Sequence, residues 1–246
     1  MTFARDSRTV SKVVPSPNHD ARGARADILL LHYTGMATDE AALARLTDKT
    51  SKVSCHYFVY EDGRILQLVA ESRRAWHAGI GSWKRATDMN ARSIGIEVVN
   101  PGHENGYRDF PDVQIEAVIA LCRDIVARHR IRRERVLAHS DVAPARKIDP
   151  GERFPWGRLA AAGIGLWVEP SPLTEGRTLS ANDRGPDVEK LQKNLARFGY
   201  ALDITRHYDD ATRSVVTAFQ RHYRPARVDG LADPSTMDTL RRLLAK

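Results

Sequence analysis

Cysteine is nearly absent: Cys55 and Cys122 are the only two in 246 residues. Two thiols exclude a disulfide scaffold, and their spacing suits neither a zinc finger nor a redox pair. Cys122 falls in the run Ile115, Val118, Ile119, Cys122, Ile125, Val126, whose three-and-four spacing places it on the apolar face of a helix. Both are expected to be buried thiols, and nothing in the sequence asks for a bridge between them. Long apolar runs are also missing, which excludes a membrane-spanning helix. The first 26 residues show neither a signal-peptide core nor a lipidation box. On this reading the cytoplasm is the expected compartment and the periplasm the alternative.

No stretch carries charge of one sign. The formal charge of +7 is spread along the chain, with 13 Lys and Arg against 10 Asp and Glu from Glu175 onward and 25 against 21 before it. Such a balance favours anionic partners in general. Without a basic tail or an aromatic-plus-basic stripe it lacks the clustered footprint of a nucleic-acid binder. Hydrophobic residues at 42% and charged residues at 28% are those of a folded globular protein.

What is present divides in two. After a polar, Pro-containing arm, DILLLHY (27–33) reads as a buried strand closed by His32. VSCHYFVY (53–60) and RILQLV (64–69) flank the turn Glu61-Asp62-Gly63 and read as an antiparallel pair. SIGIEVV (93–99) is a further buried strand ended by Asn100-Pro101-Gly102, and RVLA (135–138) a short one leading to His139. Between them a helix runs from a cap at Asp112 to about His129. This pattern predicts an α/β fold, a central mixed sheet flanked by helices. WVEPSPLTEGRT (167–178) has the composition of a linker. Three amphipathic patterns follow, 187–198, 210–222 and 234–244, and predict a small C-terminal three-helix bundle. The expected division is a catalytic domain with its arm over 1–168, a linker over 169–178 and a helical domain over 179–246.

A catalytic zinc takes three protein ligands, commonly imidazole nitrogen and carboxylate oxygen, and keeps a fourth position open. His32, His139 and Asp149 can supply that set from strand ends and a Pro-flanked loop. Singly they have ordinary explanations: a histidine at a strand end is commonly structural, and Asp149 before Pro150 can open a turn. LAHSDVAPARKIDPG (137–151) changes the balance, because it sets a His, a Lys and an Asp in one polar, Pro-punctuated segment with no helical or strand period.

LLLHYTGM, VSCHYFVYEDGRILQLV, AWHAG, SIGIEVVNPG and AHSDVAPARKIDPG stand in the order and spacing found in zinc N-acetylmuramoyl-L-alanine amidases. Over residues 15–160 the chain resembles that family, which includes AmpD-like and AmiD-like enzymes and is related to the peptidoglycan recognition proteins. The resemblance implies one zinc ion on His32, His139 and Asp149, with Glu97 as general base and acid and Lys147 steadying the oxyanion. It places His77 of AWHAG on the substrate cleft. His56 is expected to be structural. Lys147 and Asp149 are two residues apart, so an extended segment points both to one side. In SIGIEVV, Gly95, Glu97 and Val99 share the face opposite Ile94 and Ile96, a mixed surface suited to a cleft floor.

The C-terminal segment resembles the small peptidoglycan-binding domain joined to many wall hydrolases. Its marks are Gly185, Val188, Leu191-Gln192, Leu195, Gly199-Tyr200, Asp209, Thr212, Phe219-Gln220, Asp229-Gly230 and Thr236. Ala232-Asp233 stands where that family often has Gly. The activity implied is hydrolysis of the bond between N-acetylmuramic acid and L-alanine, by a monomer acting on glycan strands or released anhydro-muropeptides. The alternative is a peptidoglycan-binding or sensing protein on the same fold. Loss of a zinc ligand would mark that alternative, and all three are present.

Overall fold

The computed structural model describes residues 3–246. Its strands are β1 (Lys12–Val13), β2 (His19–Ala21), β3 (Ile28–Tyr33), β4 (Tyr57–Val59), β5 (Ile65–Gln67), β6 (Arg73–Ala75), β7 (Ser93–Val98) and β8 (Val136–Ala138). Its helices are α1 (Asp39–Thr47), α2 (Met89–Arg92), α3 (Asp112–His129), α4 (His139–Val142), α5 (Trp156–Ala161), α6 (Pro186–Phe198), α7 (Asp210–Tyr223) and α8 (Pro234–Leu244). Six strands form one sheet in the order β1-β5-β4-β7-β3-β8, and β2 and β6 form a separate antiparallel ribbon. The β4–β5 pair is antiparallel and every other pair in the large sheet is parallel, so the sheet is mixed as predicted.

Strand β3, an inner strand between β7 and β8, is buried on both faces, which is why its sequence runs apolar without alternation. Leu29 and Leu31 pack with Ile94 and Ile96 against Ile115, Val118, Cys122 and Ile125 of α3. Ile28 and Leu30 turn the other way, into a cluster that continues through Trp83, Met89 and Leu137 to Leu191, Leu195, Phe198 and Phe219 of the C-terminal helices. The bundle therefore shares a core with one face of the sheet.

Several local expectations change. Asp112 is the first residue of α3 and not its cap; Pro111 holds the cap position without a side-chain hydrogen bond, and the Asp112 carboxylate pairs with Arg158. The expected strand 53–60 is regular only over β4. Ser54 and His56 still donate their backbone N–H groups to Trp76 and Gly95, outside a continuous ladder. The polar arm contributes β1 and β2, and its buried Asn18 donates to the carbonyls of Asp48 and Val53. The segment after β8 is no loop at its start, for α4 occupies it and Ser140 and Asp141 are buried.

Cys55 and Cys122 are free and buried in different apolar clusters, and burial pushes both thiols up. In the bundle, Asp209 caps α7 on the Thr212 N–H and Asp233 caps α8 on the Thr236 N–H. No helix among the described residues is long and apolar enough to cross a membrane.

Candidate metal centre

Parallel pairing sets His32 of β3 directly beside Glu97 of β7. Register partners leave the same face of a sheet, so both side chains enter one cleft. This cleft, of about 420 Å³, is also lined by Trp76, His77, His139, Lys147 and Asp149. His139 opens α4 directly after β8, the strand on the other side of β3. Asp149 returns to it because the Ser140 N–H donates to the Asp149 carbonyl, 3.1 Å away.

The two histidines and the aspartate form a tight triangle. His32 Nδ1, His139 Nδ1 and Asp149 Oδ2 lie 2.9 Å from one another along each edge. All three residues are buried. Burial, then the neighbouring His139, lowers the His32 imidazole to about 4, so it is neutral at neutral pH. Burial alone would raise the Asp149 carboxyl, but His139 and His32 outweigh it and hold the group below the usual carboxylate range.

Each neutral imidazole carries one proton, and the hydrogen bonds fix where it sits. His139 Nε2 lies 2.9 Å from the Ala78 carbonyl, which can only accept, so Nε2 carries a proton and Nδ1 is the nitrogen presented to the triangle. Ser93 Oγ spends its proton on the Met89 carbonyl and must accept from His77 Nε2, 3.2 Å away. His77 Nδ1 is then a lone pair that accepts from His32 Nε2–H at 2.9 Å. Burial, then His32, lowers the His77 imidazole well below its ordinary value, in keeping with this neutral chain. His32 Nδ1 is thereby presented to the triangle as well. Two imidazole nitrogens and a carboxylate oxygen converge at the triangle, an arrangement suited to a cation. Two imidazole nitrogens and one carboxylate oxygen, with the remaining ring nitrogens hydrogen-bonded away from the site, match a catalytic zinc set.

Glu97 is half-buried on the cleft wall, and its Oε2 is sealed from solvent without a hydrogen-bond partner. Burial raises this carboxyl well above its ordinary value and the charge of Asp149 adds to the effect, while Lys147 opposes it. Lys147 is half-buried on the same wall. His77 lines the cleft, with both ring nitrogens engaged by His32 and Ser93. Its ring occupies space that only glycine leaves free: a Cβ at Gly95 would stand 2.4 Å from His77 Nδ1. His56 is structural, its Nδ1 accepting from the Gly95 N–H and its Nε2 facing Arg22.

The sequence reading missed the supporting residues. A glycine inside a buried strand is the one local signal for the His77 contact. Ser93, the Ala78 carbonyl and the buried Asp141 gave none.

Family comparison extends these observations. The family model described as N-acetylmuramoyl-L-alanine amidase matches residues 22–152, and one described as a peptidoglycan binding domain matches 184–240. N-acetylmuramoyl-L-alanine amidase AmiD of Escherichia coli is 42% identical over 236 residues, 90% of this chain and 83% of the relative. The solved complex of Escherichia coli AmiD with the substrate anhydro-N-acetylmuramic acid-L-Ala-D-gamma-Glu-L-Lys superposes with a TM-score of 0.76 at 41% identity, covering 92% of each chain. AmpDh3 from Pseudomonas aeruginosa superposes with a TM-score of 0.74 at 30% identity, covering 98% of each.

Proposed function

The chain belongs to the N-acetylmuramoyl-L-alanine amidase family, hydrolysing the amide between N-acetylmuramic acid and L-alanine in muropeptides, and we propose that His32, His139 and Asp149 hold its zinc ion while Glu97 and Lys147 serve the reaction. The observation that carries this reading is the triangle of donor atoms beside Glu97.

Bound zinc supplies a Lewis acid for the scissile carbonyl and lowers the pKa of water toward ~7. Glu97 takes the proton of the attacking water and delivers it to the departing L-alanine nitrogen. A carboxyl whose burial favours the neutral form holds that proton between the two events. Lys147 faces the oxygen on which negative charge develops, and a fixed ammonium in a cleft stabilises that charge without reorganising. His77 and the Ala78 carbonyl fix the tautomers of His32 and His139, so both ligands present Nδ1 to the triangle.

The experiment is release of the L-alanine-headed peptide from an anhydro-muropeptide by untreated, chelator-treated and zinc-reloaded protein, with zinc content measured in each. Activity lost with the metal and restored by zinc is expected; equal activity in all three overturns the metal reading. Running the same assay on intact sacculi distinguishes released fragments from the polymer as preferred substrate.

A further inference from the structure

Asp141 lies two residues beyond His139 and is buried, 1% exposed. Its carboxylate has three partners drawn from both parts of the chain. Oδ2 accepts from the Ala138 N–H at 2.8 Å, the bond that closes the start of α4. Oδ2 also accepts from His222 Nδ1 of α7 at 2.6 Å, and Oδ1 accepts from the Tyr200 hydroxyl at 2.7 Å. Tyr200 and His222 both belong to the C-terminal helical region and are themselves buried.

The surroundings make this a fixed joint. The His222 ring stacks on Trp156 of α5 at 3.7 Å and on Tyr223 at 3.7 Å. On the other side of Tyr200, Trp83 meets Phe198 and Tyr200 edge-on, and the Lys84 N–H donates to the Gly199 carbonyl. A Cβ at Gly199 would stand 2.5 Å from the Trp83 ring, so the closeness depends on glycine there.

Helix α4 is one turn of four residues, too short to be stable by its own hydrogen bonds. Its position is set by what holds its ends, and Asp141 is held by the bundle. The same turn carries His139 and, through the Ser140 N–H, the backbone of Asp149. Without the His222 and Tyr200 donors, a buried carboxylate would keep only the Ala138 N–H, and the turn would move to rehydrate it. Both ligands would move with it.

We propose that the C-terminal helical domain is a positioning element of the metal centre, acting through His222 and Tyr200 on Asp141, whatever glycan it also binds. This rests on the reading of His139 and Asp149 as zinc ligands. His222 and Tyr200 touch no metal and no substrate; they are positioning residues.

Two substitutions at His222 separate the hydrogen bond from the stacking. His222→Phe keeps a flat ring between Trp156 and Tyr223 and loses the donor. His222→Asn returns an N–H near the place of Nδ1 and loses the ring. Zinc affinity of each full-length chain is measured by competition with a chromophoric chelator, with thermal stability of the metal-free proteins recorded alongside. His222→Phe is expected to bind zinc roughly tenfold more weakly, and His222→Asn to recover most of that loss. Tyr200→Phe, which removes one hydroxyl, is expected to weaken binding several-fold. Unchanged affinity in His222→Phe and Tyr200→Phe overturns the proposal, as does a His222→Asn chain as weak as His222→Phe. An unsubstituted chain that takes up no zinc overturns the ligand assignment itself, a separate result visible in the same titration.

Discussion

His32 and Glu97 are register partners on neighbouring parallel strands, separated by one strand spacing and pointing into one cleft. The pairing brings a metal-ligand candidate and a carboxyl whose pKa burial raises side by side in one cleft. Slipping one of the two strands by one residue would turn its side chain to the other face of the sheet, toward the α3 core, and part the pair. The chemistry is therefore written into strand register.

Glu97→Gln keeps the shape of the side chain and removes proton transfer. Turnover is expected to fall by roughly 10² to 10⁴, with zinc content and KM little changed. Steady-state kinetics on a muropeptide together with metal analysis checks this; unaltered kcat would remove Glu97 from the mechanism.

Lys147→Met preserves the aliphatic stem and deletes the charge. A residue that stabilises only the developing oxyanion lowers kcat and kcat/KM together. A rise in KM at constant kcat would instead make Lys147 a ground-state substrate contact.

Gly95→Ala tests the imidazole chain from the side. The new methyl collides with His77 Nδ1, the atom that fixes the His32 tautomer. Zinc affinity is expected to fall about tenfold, and His77→Ala should show a loss of the same order. Chelator competition measures both, and wild-type affinity in His77→Ala would leave that ring a bystander.

Acid stability should depend on Glu71, which does not line the cleft. Burial alone would raise this carboxyl, but Arg128, His129 and the Tyr57 hydroxyl overcome it and hold it at about 2. A folded-state pKa below the unfolded value of about 4.5 stabilises the fold above that pH. The contribution is lost as pH falls from about 4.5 through 2, and it is on the order of 3 kcal/mol. Glu71→Gln should lower the melting temperature at pH 7 and flatten its decline between pH 4.5 and 2. A parallel decline in both proteins would place the acid transition elsewhere.

Much was legible in the sequence because it is local. The uninterrupted apolar run of β3 announced burial on both faces, and His32 stood at its end. The three amphipathic patterns of the C-terminal segment fall on α6, α7 and α8. The ordered motifs named the ligand candidates, and the structure brings His32, His139 and Asp149 together although 117 residues separate the first from the last.

What the sequence by itself determined is the set of elements and the residue types able to do the chemistry, since periodicity, caps and turns are properties of neighbouring residues. Tertiary structure alone decided which atoms meet. Asp141 finds His222 across 81 residues and His77 finds His32 across 45. The tautomers of the ligands, the burial of α4 and the fixing of the bundle against the sheet follow from those meetings. A hydrogen bond between distant side chains depends on packing in three dimensions, and no local pattern of charge or hydropathy carries it.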